Sequence, residues 1–117
     1  MSGQVSHLAG LAAEDRIAAD YARRGHRVTA RRWRGPGGEI DLIAENGDGF
    51  IFIEVKKSRS IARAAERLGA HQMQRIYASA SAYLADCPNG QDTDVRFDVA
   101  LMDATGAFEI LENAFAA

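Results

Sequence analysis

One cysteine and two prolines are all that this chain of 117 residues contains of those types. Cys87 alone cannot close an internal disulfide, and no Cys or His stands near it at zinc-finger spacing, so a disulfide scaffold and a structural zinc site are both excluded. No stretch approaches the ~20 consecutive apolar residues of a membrane span, and the N-terminus has no basic region ahead of a long apolar run. The expectation is therefore a soluble, unexported, cytoplasmic protein with no membrane partner. Repeats and low-complexity tracts are missing too. His7, His26 and His71 are scattered over separate elements, and no Ser or Cys lies in a nucleophile motif, which leaves triad chemistry without a seat.

What is present is ordinary globular composition, 47% apolar and 26% charged. The length is that of one domain spanning 1–117, because a second core would need roughly 50 more residues. A net charge of −2 conceals an uneven distribution. From Arg23 to Arg75 there are 12 Lys and Arg against 6 Asp and Glu, whereas Asp86 to Ala117 holds 7 acids and only Arg96 as a base. A basic middle of this kind can contact phosphates, or it can simply solvate helix and strand surfaces.

Leu11, Ile17, Ala18 and Tyr21 recur at helical spacing between about Leu8 and Arg24, and Gly25 supplies a stop. Arg27 to Trp33 reads as a strand, Arg34 to Gly38 as a turn, and Glu39 to Glu45 as a second strand. Asn46-Gly47-Asp48-Gly49 is a hairpin signal, followed by the strand Phe50 to Lys56. Ser58 to Gly69 stays open between helix and mobile loop, since Ala and Arg favour helix but the apolar period is poor. Met73, Ile76, Tyr77, Ala80, Tyr83 and Leu84 share one face of an amphipathic helix that Pro88, Asn89 and Gly90 terminate. Val95 to Leu101 alternates as a fourth strand, and Ala107 to Leu111 is a candidate fifth. The order α-β-β-β-α-β-β predicts an α/β fold with a mixed sheet of about five strands flanked by helices.

Alternation places Glu39, Asp41 and Ile43 on one face of their strand and Phe52, Glu54 and Lys56 on one face of the next. If Asn46 to Gly49 form a four-residue loop, Glu45 pairs with Phe50 and Asp41 lies opposite Glu54, with Cβ atoms roughly 5 Å apart. A two-residue Asn46-Gly47 turn pairs Glu45 with Asp48 instead and shifts the partner while keeping the face. Two opposed carboxylates repel and need a compensating cation. Lys56 supplies one charge and a divalent ion more; an oxygen-only donor set suits Mg²⁺ or Mn²⁺. The neighbours Ile40, Leu42, Ile43, Ala44, Ile51, Phe52, Ile53 and Val55 mark strands covered on both sides, where unpaired charge is costly, so Glu54 and Lys56 read either as a functional site or as a cross-strand salt bridge on a solvated face. Glu14 falls within the apolar stripe of the first helix, where it is either a surface glutamate at the rim of the stripe or, together with Asp41 and Glu54, a third inward acid beside the proposed site.

The run Gly37-Gly38-Glu39-Ile40-Asp41-Leu42-Ile43-Ala44, followed by Phe52-Ile53-Glu54-Val55-Lys56, resembles the YraN-like family of small bacterial proteins. That family is similar in pattern to archaeal Holliday junction resolvases within the PD-(D/E)XK nuclease superfamily. The resemblance runs from the Gly10 to Glu14 helix through the Met73 to Leu84 helix to Phe97-Asp98-Val99. Ile40 stands where the superfamily name has proline, and Gln72 stands where a basic residue is expected ahead of the second helix. The resemblance implies a restriction-endonuclease-like fold and a metal-dependent DNA endonuclease. It assigns Asp41 and Glu54 to metal binding, the Val55 carbonyl as a further ligand, Lys56 to positioning or activating water, and Glu14 to an auxiliary role. Branched or structured DNA as substrate and a homodimeric assembly are implied by the same resemblance.

Arg31, Arg32, Arg34, Lys57, Arg59 and Arg63 flank the site in sequence and are candidate phosphate contacts that would position DNA without reading bases. Trp33 either stacks on an unpaired base or packs in the core. Two other functions fit the same residues. One is a nucleic-acid-binding module of nuclease fold without chemistry, and the other a protein-interaction domain using the acidic C-terminal segment.

Overall fold

The computed structural model describes the backbone of residues 3–114 and the side chains of residues 10–114. The side chains of Leu8 and His7 thus lie outside the described residues. The first helix, α1, runs Gly3–Arg23, starting earlier than the apolar period indicates. Gly25 ends it in the left-handed conformation (φ +93°). There the His26 amide donates to the Tyr21 carbonyl and the Gly25 amide to that of Ala22, the paired bonds of a Schellman cap.

Five strands follow in chain order and lie side by side in that order, β1 (Val28–Gly35), β2 (Gly38–Asn46), β3 (Gly49–Lys57), β4 (Val95–Met102) and β5 (Phe108–Leu111). Only β3 and β4 are parallel, so the sheet is mixed. A parallel neighbour demands a crossover, and this one carries α2 (Ile61–Ala65), α3 (Ala70–Ala85) and a 3₁₀ turn at Gly90–Asp92. The segment that composition left open between helix and loop therefore contains a short helix. Ser60 caps it by accepting from the Arg63 amide, and Ala64 is fully buried.

Helices cover both faces of the sheet. On one, Ala13, Ile17 and Tyr21 of α1 pack on Leu42, Ala44, Ile51, Ile53, Ala100 and Met102. On the other, Ala80 and Leu84 of α3 meet Ile40, Ile43 and Phe52, while α2 and the start of α3 cover Val99 and Leu101. Trp33 belongs to this second layer, edge-on to Tyr83 with ring centroids 5.3 Å apart, so it packs rather than offering a free stacking face. Among the described residues no helix is long and apolar enough to cross a membrane.

The β2–β3 register pairs Glu45 with Phe50, as the longer-loop reading requires. Asn46 and Gly49 pair as well, so the turn proper is Gly47 and Asp48. The strand boundaries at the other hairpin differ from expectation, because β1 extends to Gly35 and leaves only Pro36 and Gly37 as the turn. Gly37 allows close approach there: a Cβ on it would run into the Arg75 carbonyl of α3. Buried Ser79 fastens the turn, accepting from the Gly37 amide (3.0 Å) and donating to the Gly38 carbonyl (2.8 Å).

One expectation about faces is corrected. Glu39, Asp41 and Ile43 do not lie in simple alternation, since Ile40 and Ile43 both pack toward α3, as do Ala30 and Trp33 of β1. The slip occurs at the same level in both strands. The β1–β2 register shifts between Val28 and Ala30, and Arg32, at the level of the slip in β1, is a non-glycine residue at φ +52°. Such a conformation costs about 1–3 kcal/mol and persists only where the surroundings fix it.

Candidate active site

The β2–β3 ladder is regular from Asn46–Gly49 to Leu42–Ile53 and then gives way. At the next step the backbone bonds go to side chains instead. The Val55 amide donates to Asp41 Oδ2 at 2.8 Å, and the Asp41 amide points to Glu54 Oε1 at 3.4 Å. Asp41 and Glu54 thus stand opposite each other, as the hairpin register predicts, with their carboxylates filling the opening between strands. Lys56 lies one step along β3 on the Glu54 side, its Nζ 4.0 Å from Glu54 Oε2.

Gln72, in the first turn of α3, donates through Nε2 to Glu54 Oε2 at 3.3 Å. The residue that stood out as a non-basic substitution is therefore part of the site. A cavity of about 60 Å³ lies against this group, lined by Gly37, Glu39, Glu54, Gln72, Arg75 and Ile76. On the α1 side, Glu14 is buried (8% exposed) as the position within the apolar stripe predicts. Its Oε1 has no hydrogen-bond partner among the described residues, and Arg32 Nε is 4.0 Å away. Arg32 gives its direct bond to Glu39 (2.9 Å), and Arg34 also reaches Glu39 at 3.8 Å.

The electrostatics are those of too much like charge in too little water. Burial, then the neighbouring Asp41 carboxylate, pushes Glu54 up to about 8, with Lys56 opposing. Burial raises Asp41 above the usual carboxylate range, against the pull of the Val55 amide and Lys56. Burial raises Glu14 as well, and the charge of Asp41 adds to it. The contacts link the acids in a chain, Glu14 to Asp41 by charge and Asp41 to Glu54 by hydrogen bond. They do not close into one ligand cage, for among the described residues no group of three or more His, Cys, Asp or Glu is placed to hold a metal ion.

A divalent cation nevertheless suits the donors. Mg²⁺ is commonly held by one or two carboxylates, with water and substrate phosphate oxygens completing the shell. Buried Glu54 and half-buried Asp41, both with raised proton affinity, and a Glu14 oxygen without a hydrogen-bond partner among the described residues form an oxygen donor set that matches that mode better than zinc.

Sequence reasoning placed Asp41, Glu54, Lys56 and Glu14 in one neighbourhood and missed Gln72, Glu39 and Ser79. A polar residue one turn ahead of Ile76 was the available signal for Gln72. The six candidate phosphate contacts separate into two groups. Arg31 is paired with Asp15, and Arg32 and Arg34 with Glu14 and Glu39. Lys57, Arg59 and Arg63 have no ion-pair partner among the described residues.

The family model for the uncharacterised protein family UPF0102 matches residues 13–102. A UPF0102 protein of Ruegeria pomeroyi is 59% identical over 113 residues, covering 97% of this chain and 92% of its own. One from Cereibacter sphaeroides strain ATCC 17025 is 62% identical over 117 residues, the full length of both. A relative from Roseobacter denitrificans is 47% identical over 113 residues, 97% of this chain and 88% of its own. The chain belongs to the UPF0102 family, which confirms the YraN-like resemblance read from its motifs.

Proposed function

We propose that this member of the family is a metal-dependent endonuclease of the restriction-endonuclease-like class, hydrolysing phosphodiester bonds in DNA. The observation that carries the reading is the pairing of half-buried Asp41 with buried Glu54, with Lys56 beside it, where the β2–β3 ladder opens. A pair of that kind, left without a cation, would work against folding, and proteins retain such strain where function uses it.

Asp41 and Glu54 would hold Mg²⁺ or Mn²⁺ together with the Val55 carbonyl. When bound, the ion screens phosphate charge and lowers the pKa of water. The chain's own residues supply the rest. The Val55 amide fixes Asp41, and Gln72 orients Glu54 through Oε2. Lys56, with its side chain 16% exposed, offers an ammonium to a phosphate oxygen or an attacking water. Glu14, its Oε1 without a hydrogen-bond partner among the described residues, would accept a hydrogen bond from water at the edge of the site. Junctions and flaps are the first substrates to try, because the related resolvase pattern belongs to enzymes of branched DNA. A homodimer fits that substrate, which presents two equivalent strands.

That no group of three or more His, Cys, Asp or Glu among the described residues is placed to hold a metal favours one other reading, a nucleic-acid-binding module of the same fold without cleavage. Incubating purified protein with junction, flap and linear DNA across Mg²⁺ and Mn²⁺ series, beside Asp41→Asn and Lys56→Ala variants, separates the two. The nuclease reading expects metal-dependent cleavage reduced at least about 100-fold in both variants, the scale of removing one transition-state interaction. Binding without cleavage under every condition would establish the second reading; cleavage that survives both variants would refute the assignment of the site.

A further inference from the structure

The two flanks of the site are not electrostatically equal. On the β1 side, Arg31, Arg32 and Arg34 face Glu14, Asp15 and Glu39, so three formal positive charges meet three negative ones. On the crossover side, Lys57, Arg59, Arg63 and Arg67 are accompanied only by Glu66, leaving a formal excess of three. Among the described residues none of these four makes an ion pair. Arg67 instead donates to the Lys57 carbonyl at 2.9 Å, drawing the two ends of the stretch together.

This stretch is an arch with both feet on the site. One foot is Lys57, which follows Lys56 on β3; the other is the first turn of α3, where Gln72 touches Glu54. Its underside is apolar and fixed. Ala64 is fully buried, with Ile61, Ala65 and Leu68 packed against Val99 and Leu101, and the Ser58 amide donates to the Met102 carbonyl. Its upper side carries exposed Arg59, Arg63 and Arg67. A packed backbone that presents the Arg59 and Arg63 guanidiniums without ion-pair partners among the described residues binds a polyanion without first breaking salt bridges.

We propose that the α2 arch is the phosphate track of this protein, the surface along which the nucleic-acid backbone runs into the site, and that the β1 arginines serve mainly to neutralise the acids beneath them. The proposal rests on the nuclease reading for its substrate class and adds the direction of approach. Contacts of this type position the strand and read no bases.

Fluorescence anisotropy with a labelled flap DNA in EDTA, across 50–200 mM KCl, isolates binding from cleavage. Removing one phosphate-binding side chain makes the slope of log affinity against log salt less negative by roughly 0.9. The triple variant Lys57→Ala/Arg59→Ala/Arg63→Ala is expected to flatten the slope by roughly two to three and to weaken affinity about tenfold or more at 100 mM salt. Arg31→Ala/Arg34→Ala should weaken binding less than about threefold, and Glu66→Lys, which adds charge on the arch, should strengthen it about threefold or more. Circular dichroism melts accompany each variant, and the gain in Glu66→Lys cannot come from misfolding. Equal or greater weakening in the β1 double variant, or no gain in Glu66→Lys, overturns the track while leaving the nuclease reading intact. Wild-type protein that neither binds nor cleaves DNA overturns both.

Discussion

Two carboxylate centres sit in this one sheet, and they are built on opposite plans. At Asp98 on β4, only 1% exposed, both carboxylate oxygens are held by donors. Arg96 grips it with two bonds of 2.9 Å, the Tyr21 hydroxyl donates at 2.7 Å and the Asn113 amide at 2.9 Å. The Tyr21 phenol is held far above its usual range by burial and by this acceptor. At Asp41 and Glu54 the acids instead face each other, with a lysine 4.0 Å from Glu54 and a Glu14 oxygen nearby that has no hydrogen-bond partner among the described residues. A satisfied buried charge fixes a fold, whereas an unsatisfied one stores a demand that a ligand can meet. The first centre ties α1, β4 and the C-terminal turn together; the second lies where β2 and β3 part.

The contrast breaks most visibly at Asp98. Asp98→Ala takes the acceptor from the buried Tyr21 hydroxyl and the Asn113 amide and leaves Arg96 with only Glu112, and it should cost about 3–5 kcal/mol in urea denaturation. Next in size is Gly37→Ala, which pushes the β1–β2 turn off the Arg75 carbonyl and should cost about 1–3 kcal/mol by the same measurement.

At the site itself the sign reverses. Glu54→Gln removes a charge from beside Asp41 and should raise stability by about 1–2 kcal/mol at pH 8 while abolishing cleavage, the trade expected of a functional site. The pH dependence sharpens this. Glu54 holds its proton in the folded protein up to about 8, against an ordinary value of 4.5 in the unfolded chain. Between those values the native state binds more protons, so stability is greatest at the acid end and falls as pH rises through the window. Without divalent ions the slope from this group is at most about 1.4 kcal/mol per pH unit, and Glu54→Gln should flatten it.

The hairpin signal at Asn46 to Gly49 and the period-2 apolar runs were enough to bring Asp41 opposite Glu54, because register follows from the turn once the strands are known. Helical periodicity likewise turned Glu14 inward and marked Ile76, Ala80 and Leu84 as the buried side of α3. The slip of both strands at Arg32 was illegible, since nothing local in an arginine announces φ +52°. The short α2 was hidden because its burial depends on Val99 and Leu101, which arrive from the far side of the crossover. Asp98 stands within the Phe97-Asp98-Val99 run of the resemblance, but its role was illegible for a similar reason: its partner Tyr21 is 77 residues away. Gln72 was visible as an oddity, but its contact with Glu54 depends on where α3 begins.

The claim on which the rest depends is that the second centre takes up a divalent cation. Isothermal titration calorimetry with Mn²⁺ at pH 8, on wild-type protein and on Glu54→Gln with and without an oligonucleotide, tests it directly. The account predicts saturable binding in the wild type, with proton release that grows as the pH is lowered toward 7, and binding abolished or weakened at least about tenfold in the variant. No saturable uptake by the wild type under either condition, or equal uptake by both proteins, would contradict it.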